Sequence, residues 1–299
     1  MKSLLLILAT ILSFSVNANQ PLLSPIELEA RLQNTNLRVL DIRDPKSYAE
    51  NHIPGSLSAP YGKWRGPKEN PGEFPPLAKL TELVQSLGLS PQNHIVVTSS
   101  GADETDFGAA ARVYWTLKVS GLENLSILNG GIRSWVEAKL PLNNLPVTVA
   151  RSSYQPTINT ALITTKEQLQ KKTVDGSARL IDARPSAFYS GDTRHQAAKV
   201  PGTLKGAKNV EHSNWFNEKS PTFISQADAQ KVGADANLNN DEEVVSFCNT
   251  GHWAATNWFA MSEVLGKKNV SMYAGSMVDF TKDGDTSKMD NVPSRGKQL

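Results

Sequence analysis

Cys248 is the single cysteine in a chain of 299 residues, and its neighbours give it a chemical setting. Val244-Val245-Ser246-Phe247 is an apolar, β-prone run that ends at the cysteine. A short polar turn, Asn249-Thr250-Gly251-His252, follows it. From Ala254 to Leu265 the spacing predicts a helix: Ala254, Trp258, Met261 and Leu265 fall three or four apart on one face, and Gly266 closes it. A cysteine at such a strand-to-helix handover sits beneath backbone N–H groups that point into the turn. That arrangement attracts anions and favours the thiolate form of a cysteine. The competing reading is an inert core thiol, since cysteine is among the most buried residue types. Its place at the end of the strand, with a glycine-containing turn after it, favours the nucleophile.

Several chemistries need partners that the sequence lacks. A cysteine phosphatase uses the same strand–cysteine–loop–helix, but it needs a guanidinium fork at the position held here by Ala254. Arsenate chemistry is disfavoured on similar grounds. A thiol oxidoreductase normally needs a resolving cysteine two residues away. One cysteine and five scattered histidines give no metal-ligand spacing. No glycine-rich phosphate motif of the Walker or dinucleotide type is present. No metal and no cofactor are therefore expected.

The compartment bears on the same residue. Met1-Lys2-Ser3, an apolar run from Leu4 to Val16 and Asn17-Ala18-Asn19 read as a secretory signal peptide, with cleavage expected after Ala18. The run is too short to span a membrane. Its brevity and single basic residue favour export to a bacterial periplasm. An exported protein with one cysteine makes no internal disulfide, so the thiol is either buried or used. The formal net charge of +2, from 31 basic and 29 acidic residues, argues against nucleic acid as a partner. No membrane partner is expected after cleavage.

The elements that must position Cys248 occur twice. Strands alternate with helical patterns in the order of an α/β protein. Arg38-Val39-Leu40-Asp41-Ile42-Arg43 is matched by Arg179-Leu180-Ile181-Asp182-Ala183-Arg184, and Ile53-Pro54-Gly55 by Val200-Pro201-Gly202. Ile95 to Ser99 is matched by Val244 to Cys248, and Leu125 to Gly131 by Val270 to Ser276. The offset grows from 141 residues between Asp41 and Asp182 to 149 between Ser99 and Cys248, so loop insertions separate the halves. Two domains by duplication are expected, at residues 19–145 and 157–290. A linker at 146–156 joins them, and a tail follows at 291–299. The halves are chemically unequal. Where the second has the cysteine turn, the first has a longer acidic loop, Ser99-Ser100-Gly101-Ala102-Asp103-Glu104-Thr105-Asp106, with no base beside its serines. Acidic side chains there would repel an anionic substrate, so the first domain is expected to be inactive in catalysis.

The motifs Leu-Asp-Ile-Arg at 40–43, His-Ile-Pro-Gly at 52–55, Ile-Asp-Ala-Arg at 181–184, Cys-Asn-Thr-Gly-His-Trp-Ala at 248–254 and Tyr-Ala-Gly-Ser at 273–276 follow one another in a set order. In that order they resemble the tandem-domain rhodanese sulfurtransferases, the family of thiosulfate and 3-mercaptopyruvate sulfurtransferases, over nearly the whole chain. The resemblance implies two rhodanese-like domains, each a small, mostly parallel sheet flanked by helices. It implies a catalytic Cys248 that takes a sulfane sulfur from a small donor such as thiosulfate and passes the persulfide sulfur to a thiophilic acceptor. The alternative is a non-catalytic carrier that holds the persulfide for a partner. Substrate contacts are then expected from Asn249, Thr250, Gly251, His252, Trp253 and Ala254, whose amides with the helix N-terminus stabilise an anionic sulfur. Arg184 and Asp182 match family positions, either as a substrate contact or as a structural ion pair. The sequence departs from the family at Phe188, where many members have a second arginine. His252 is a candidate for supplying positive charge or polarising the donor, and Arg194 or His195 for replacing the missing arginine. Since the family's site lies between the domains, Tyr61, Trp64 and Arg65 are candidates for its wall.

Overall fold

The computed structural model describes residues 20–218, 220–238 and 241–293. The expected signal peptide at 1–18 lies outside the described residues, as does the tail beyond residue 293. In the first half β1 (Leu22–Leu23), α1 (Pro25–Glu29), β2 (Leu37–Asp41), α2 (Pro45–Glu50), β3 (Leu57–Ser58), α3 (Leu77–Ser86), β4 (His94–Thr98), α4 (Glu104–Val119), β5 (Leu125–Leu128) and α5 (Gly131–Glu137) follow in order. In the second, α6 (Lys166–Asp175), β6 (Arg179–Asp182), α7 (Ser186–Tyr189), β7 (Thr203–Leu204), β8 (Lys208–Asn209), α8 (Gln226–Asp235), β9 (Val244–Phe247), α9 (Trp253–Phe259), β10 (Val270–Met272), α10 (Ser276–Phe280) and β11 (Met289–Asp290) complete the chain.

Local chemistry explains where the helices begin. Ser24 and Thr165 each form a capping box, with Glu27 and Gln168 reaching back to the cap's own amide. Asp44, Asp103 and Ser225 cap α2, α4 and α8 through their side-chain oxygens. The strands between are near-continuous apolar runs, as parallel strands covered on both faces require.

The first sheet is parallel, in the order β1-β5-β4-β2-β3. The second repeats it as β10-β9-β6-β8, also parallel, and Ile163 bridges to Met272 where β1 would stand. The duplication expected from the motifs is thus a duplication of topology. In both sheets the motif residues fall at the carboxyl ends of the strands, where open α/β sheets build their sites.

The halves share a core. One hydrophobic cluster takes in Leu40, Val97 and Trp115 together with Val244, Cys248 and Met272. At its centre α4 lies against α9. Phe107 meets Phe216, Phe223 and Phe259 at ring-centroid distances of 5.2, 5.5 and 5.6 Å, and Tyr114 meets Phe259 at 5.1 Å.

This contact corrects the expectation of an amphipathic helix from Ala254 to Leu265. Every residue from Ala254 to Met261 is buried, because neighbours from both halves cover the helix: Phe259 packs on Phe107 and Tyr114 of α4, and the side opposite is closed from within the second half. Asn257 accepts from Trp215 Nε1 at 2.8 Å and donates to the Val210 carbonyl at 2.7 Å. The regular helix also ends early. Residues Ala260–Val264 form a π turn, from which Glu263 reaches α4 and accepts from Tyr114 Oη at 2.6 Å and Lys118 Nζ at 2.7 Å. The 146–156 segment is strapped to the first half, with Ser152 N donating to Gln85 O and Gln85 Nε2 to Tyr154 O.

Candidate active site

Cys248 follows directly on β9 and is buried, with 1% of its surface exposed. The first turn of α10 holds the far side of its loop: Met277 N donates to Cys248 O and Val278 N to Asn249 O, both at 3.0 Å. Ser276 closes the mouth of the turn. Its hydroxyl oxygen accepts from Cys248 N at 3.0 Å and Gly251 N at 3.2 Å, donates to Tyr273 O at 2.9 Å, and lies 3.9 Å from Cys248 Sγ. Ser276 does this from the left-handed region, at φ +54, where a side chain is strained. Gly251 is left-handed too, at φ +66, and a Cβ there would fall against Ala274 O and 2.5 Å from Arg112 Nη1. Only glycine fits. Among the described residues, the amides of Asn249, Thr250, His252, Trp253 and Ala254 have no protein acceptor. They form a nest of N–H groups beside the thiol that an anion can fill.

The structure brings the expected residues together but changes the part that several play. Arg184, expected as a possible substrate contact, is spoken for. Its guanidinium grips Asp182 at 2.6–3.0 Å, donates to Gly202 O at 2.8 Å and reaches Asn249 Oδ1 at 3.4 Å. With both Arg184 and Asp182 buried, the pair is the structural alternative: it braces the base of the loop. Arg43 and Asp41 repeat it in the first half at 2.7 Å.

His252, expected as a source of positive charge, is neutral. Burial, with Arg65 nearby, pushes its pKa down to about 4. Both ring nitrogens face the first half: Nε2 lies 2.7 Å from the Thr105 carbonyl and Nδ1 2.8 Å from Tyr61 Oη. A carbonyl only accepts, so Nε2 carries the proton and Nδ1 accepts from the tyrosine. Tyr61 Oη in turn accepts from Arg65 Nη1 at 2.8 Å. His252 is a strut between domains.

Trp253 stacks on His212 at 4.8 Å and meets Phe188 edge-on at 6.0 Å. Phe188, in place of the family's second arginine, lies against the Arg184 guanidinium at 5.9 Å. The Thr250 hydroxyl has no partner among the described residues, while its carbonyl accepts from Arg65 Nη2 at 2.8 Å. Ala254 is buried, and its carbonyl accepts from Ser246 Oγ at 2.9 Å. Trp64 is buried, and its Nε1 donates to Ala59 O at 3.0 Å. Arg194 is exposed and donates to Ala198 O, and His195 accepts from Ala197 N. Among the described residues, no hydrogen bond or ion pair joins either of them to the turn.

Three contributors escaped the sequence reading: Ser276, Thr105 and Arg112. Ser276 had a signal, since it stands where the repeat has Gly131. So did Arg112, a lone charge in the apolar run Ala109-Ala110-Ala111-Arg112-Val113-Tyr114-Trp115. Thr105 acts through its backbone carbonyl and had none.

A family profile described as the rhodanese-like domain matches residues 24–138 and again 165–283. The chain belongs to the rhodanese-like domain family. The thiosulfate sulfurtransferase of Pseudomonas aeruginosa is 30% identical over 275 residues, covering 91% of this chain and 98% of that relative. Among solved structures, the SseA protein of Escherichia coli, described as a 3-mercaptopyruvate sulfotransferase, superposes with a TM-score of 0.74 at 20% identity, covering 86% of this chain and 99% of its own. An anaerobic ergothioneine biosynthesis enzyme from Chlorobium limicola does so with a TM-score of 0.79 at 18% identity, covering 91% and 71%. At those identities the two structures show a shared fold.

The two rhodanese-like domains keep one loop-to-helix geometry and fill it differently. In the first, Ile132 N donates to Ser99 O at 2.9 Å, as Met277 N does to Cys248 O in the second. Gly131, at φ +59, sits where Ser276 sits. A Cβ at Gly131 would lie 2.6 Å from Gly101 N and Ser99 O, so the first turn is collapsed onto the glycine.

Proposed function

We propose that this protein is a sulfurtransferase in which Cys248 carries the transferred sulfur. The observation that carries the reading is the nest of unpaired amides around a lone cysteine at the end of β9. The Cys248 thiolate attacks the outer sulfur of the donor. With thiosulfate, the donor's S–S bond breaks and sulfite leaves with the electron pair, which leaves a Cys248 persulfide. The free amides of Asn249, Thr250, His252, Trp253 and Ala254 stabilise its terminal anionic sulfur. A thiophilic acceptor, cyanide or a thiol, then takes that sulfur and returns the thiolate. Thiosulfate is favoured as donor because the Pseudomonas aeruginosa relative that spans nearly the whole chain is a thiosulfate sulfurtransferase. The burial of Cys248 favours small donors and acceptors over hand-off to a protein partner. That weighs against a passive carrier.

The first domain, residues 19–145, takes no part in the covalent steps on this reading: a serine and a collapsed turn stand where the second domain, 157–290, has the thiol and its nest. Residues 1–18 direct export to the periplasm, a reading supported by their sequence pattern. The amino-terminal sequence of protein recovered from a periplasmic fraction tests this, and a start at Asn19 is expected.

The decisive experiment is mass spectrometry of the intact protein after thiosulfate. A gain of one sulfur atom is expected on the wild type, lost again on adding cyanide with release of thiocyanate over many turnovers. Cys248→Ser, nearly isosteric, should gain none. Turnover in that variant would refute the assignment, and a stable gain without turnover would make the protein a carrier.

A further inference from the structure

The turn that holds Cys248 belongs to the second domain, yet two of its carbonyls are held by arginines of the first. Arg65 Nη2 donates to Thr250 O at 2.8 Å, and Arg112 Nη1 donates to Gly251 O at 3.1 Å. Arg112 Nη2 also donates to Gly72 O and Glu73 O, both at 2.9 Å, which fixes the guanidinium against the Gly66–Pro76 loop. Thr250 and Gly251 are consecutive. Across a trans peptide the C=O of one residue opposes the N–H of the next, so turning these carbonyls toward α4 and the Tyr61–Trp64 segment points the Gly251 and His252 N–H groups the other way, Gly251 N onto Ser276 Oγ and His252 N free of any protein acceptor among the described residues.

These arginines differ from the other cations nearby. Arg184 is neutralised by Asp182, and His252 is uncharged. Neither Arg65 nor Arg112 has a carboxylate within ion-pair distance among the described residues. Arg112 is fully buried, its Nε has no partner, and its guanidinium packs on the Trp115 ring at 4.9 Å. A buried charge without a counter-ion costs stability, and the same three carbonyls would be served by a neutral donor. Burial pushes the pKa of Arg112 down to about 9, which leaves it charged at neutral pH.

We propose that Arg65 and Arg112 are positioning residues for sulfur transfer: they hold the Thr250 and Gly251 carbonyls outward so that the turn's amides converge on the sulfur, and they supply the uncompensated positive charge that favours an anionic donor. This rests on the reading of Cys248 as the sulfur-accepting nucleophile. On this account the first domain completes a site whose covalent chemistry lies in the second. It also explains how the chain does without an arginine at Phe188.

The test compares alkylation of the single thiol by anionic iodoacetate and neutral iodoacetamide at pH 7, in the full-length chain. The ratio of the two rates reads positive charge at Cys248 and needs no sulfur donor. Arg65→Met is expected to lower the ratio about tenfold, and Arg65→Lys to retain most of it. Arg112→Met should lower it as well, and should raise the KM for thiosulfate more than it slows discharge of a preformed persulfide to cyanide. An unchanged ratio in Arg65→Met, with a native circular dichroism spectrum, overturns the proposal. If Arg112→Met does not fold, the Arg65 pair decides alone. If the wild type takes no sulfur from thiosulfate while the ratio still falls in Arg65→Met, the donor reading fails and the role of the arginines stands.

Discussion

His252 stands in the turn beside the thiol, and the structure spends it on holding two domains together. Its neutral form is the one the fold needs, because Nδ1 must stay free to accept from Tyr61. Linkage then sets the sign of a pH effect. The folded pKa, about 4, lies below the ordinary histidine value of 6.5, so the unfolded chain binds the extra proton first. The contribution is complete above about pH 6.5 and is lost as the pH falls through 4, to a limit of about 3 kcal/mol. Urea unfolding at several values between pH 7.5 and pH 4 should show a steeper loss in the wild type than in His252→Gln. His94, His195 and His212, each also lowered by burial, leave a residual slope in both proteins. Equal slopes would mean that His252 takes up its proton in the fold as readily as in the unfolded chain. Charge type alone marks this residue as a candidate cation. What neutralises it, burial against the first half and the nearby Arg65 guanidinium, comes from residues more than a hundred positions away in the chain.

At the scale of the element, the loop after β6 and the loop after β9 depend on each other through Arg184. Arg184→Ala leaves Asp182 buried with only Thr203 Oγ1 and the Arg184 amide to satisfy it. The expected cost is about 3–5 kcal/mol in urea unfolding, together with loss of transfer activity, since Asn249 loses its brace. Arg184→Lys should rescue little, because a point charge cannot reproduce the fork. Arg43→Ala, at the more exposed twin in the first domain, should cost less and leave persulfide formation in place. A larger loss from Arg43→Ala would overturn this ranking. Much at this scale was legible in the sequence. The end of β9 at the cysteine and the repeat of Ile95 to Ser99 in Val244 to Cys248 rest on periodicity within a few residues. The burial of Thr256 and Asn257, the π turn at Ala260–Val264 and the left-handed Ser276 were not. Each is decided by a neighbour from elsewhere in the fold, and local spacing carries no trace of it.

Taken whole, the molecule is two copies of one topology joined by a single apolar seam. Phe107 sits where the seam is densest, touching three rings of the second domain. Phe107→Ala should cost about 3–5 kcal/mol and split a single calorimetric transition into two, one per domain. A transition that stays single and merely shifts would mean that the remaining contacts of α4, Tyr114 and Lys118 on Glu263 among them, suffice to couple the halves. The order of synthesis gives the α4–α9 contact another consequence. Helix α4 is made long before α9 exists to cover it. Until the second domain arrives, Phe107 and Tyr114 lack the rings that cover them, on a domain that has otherwise completed its sheet. The nascent first half is therefore a sticky, incomplete object, and it is the stage at which a holding chaperone would find most to bind.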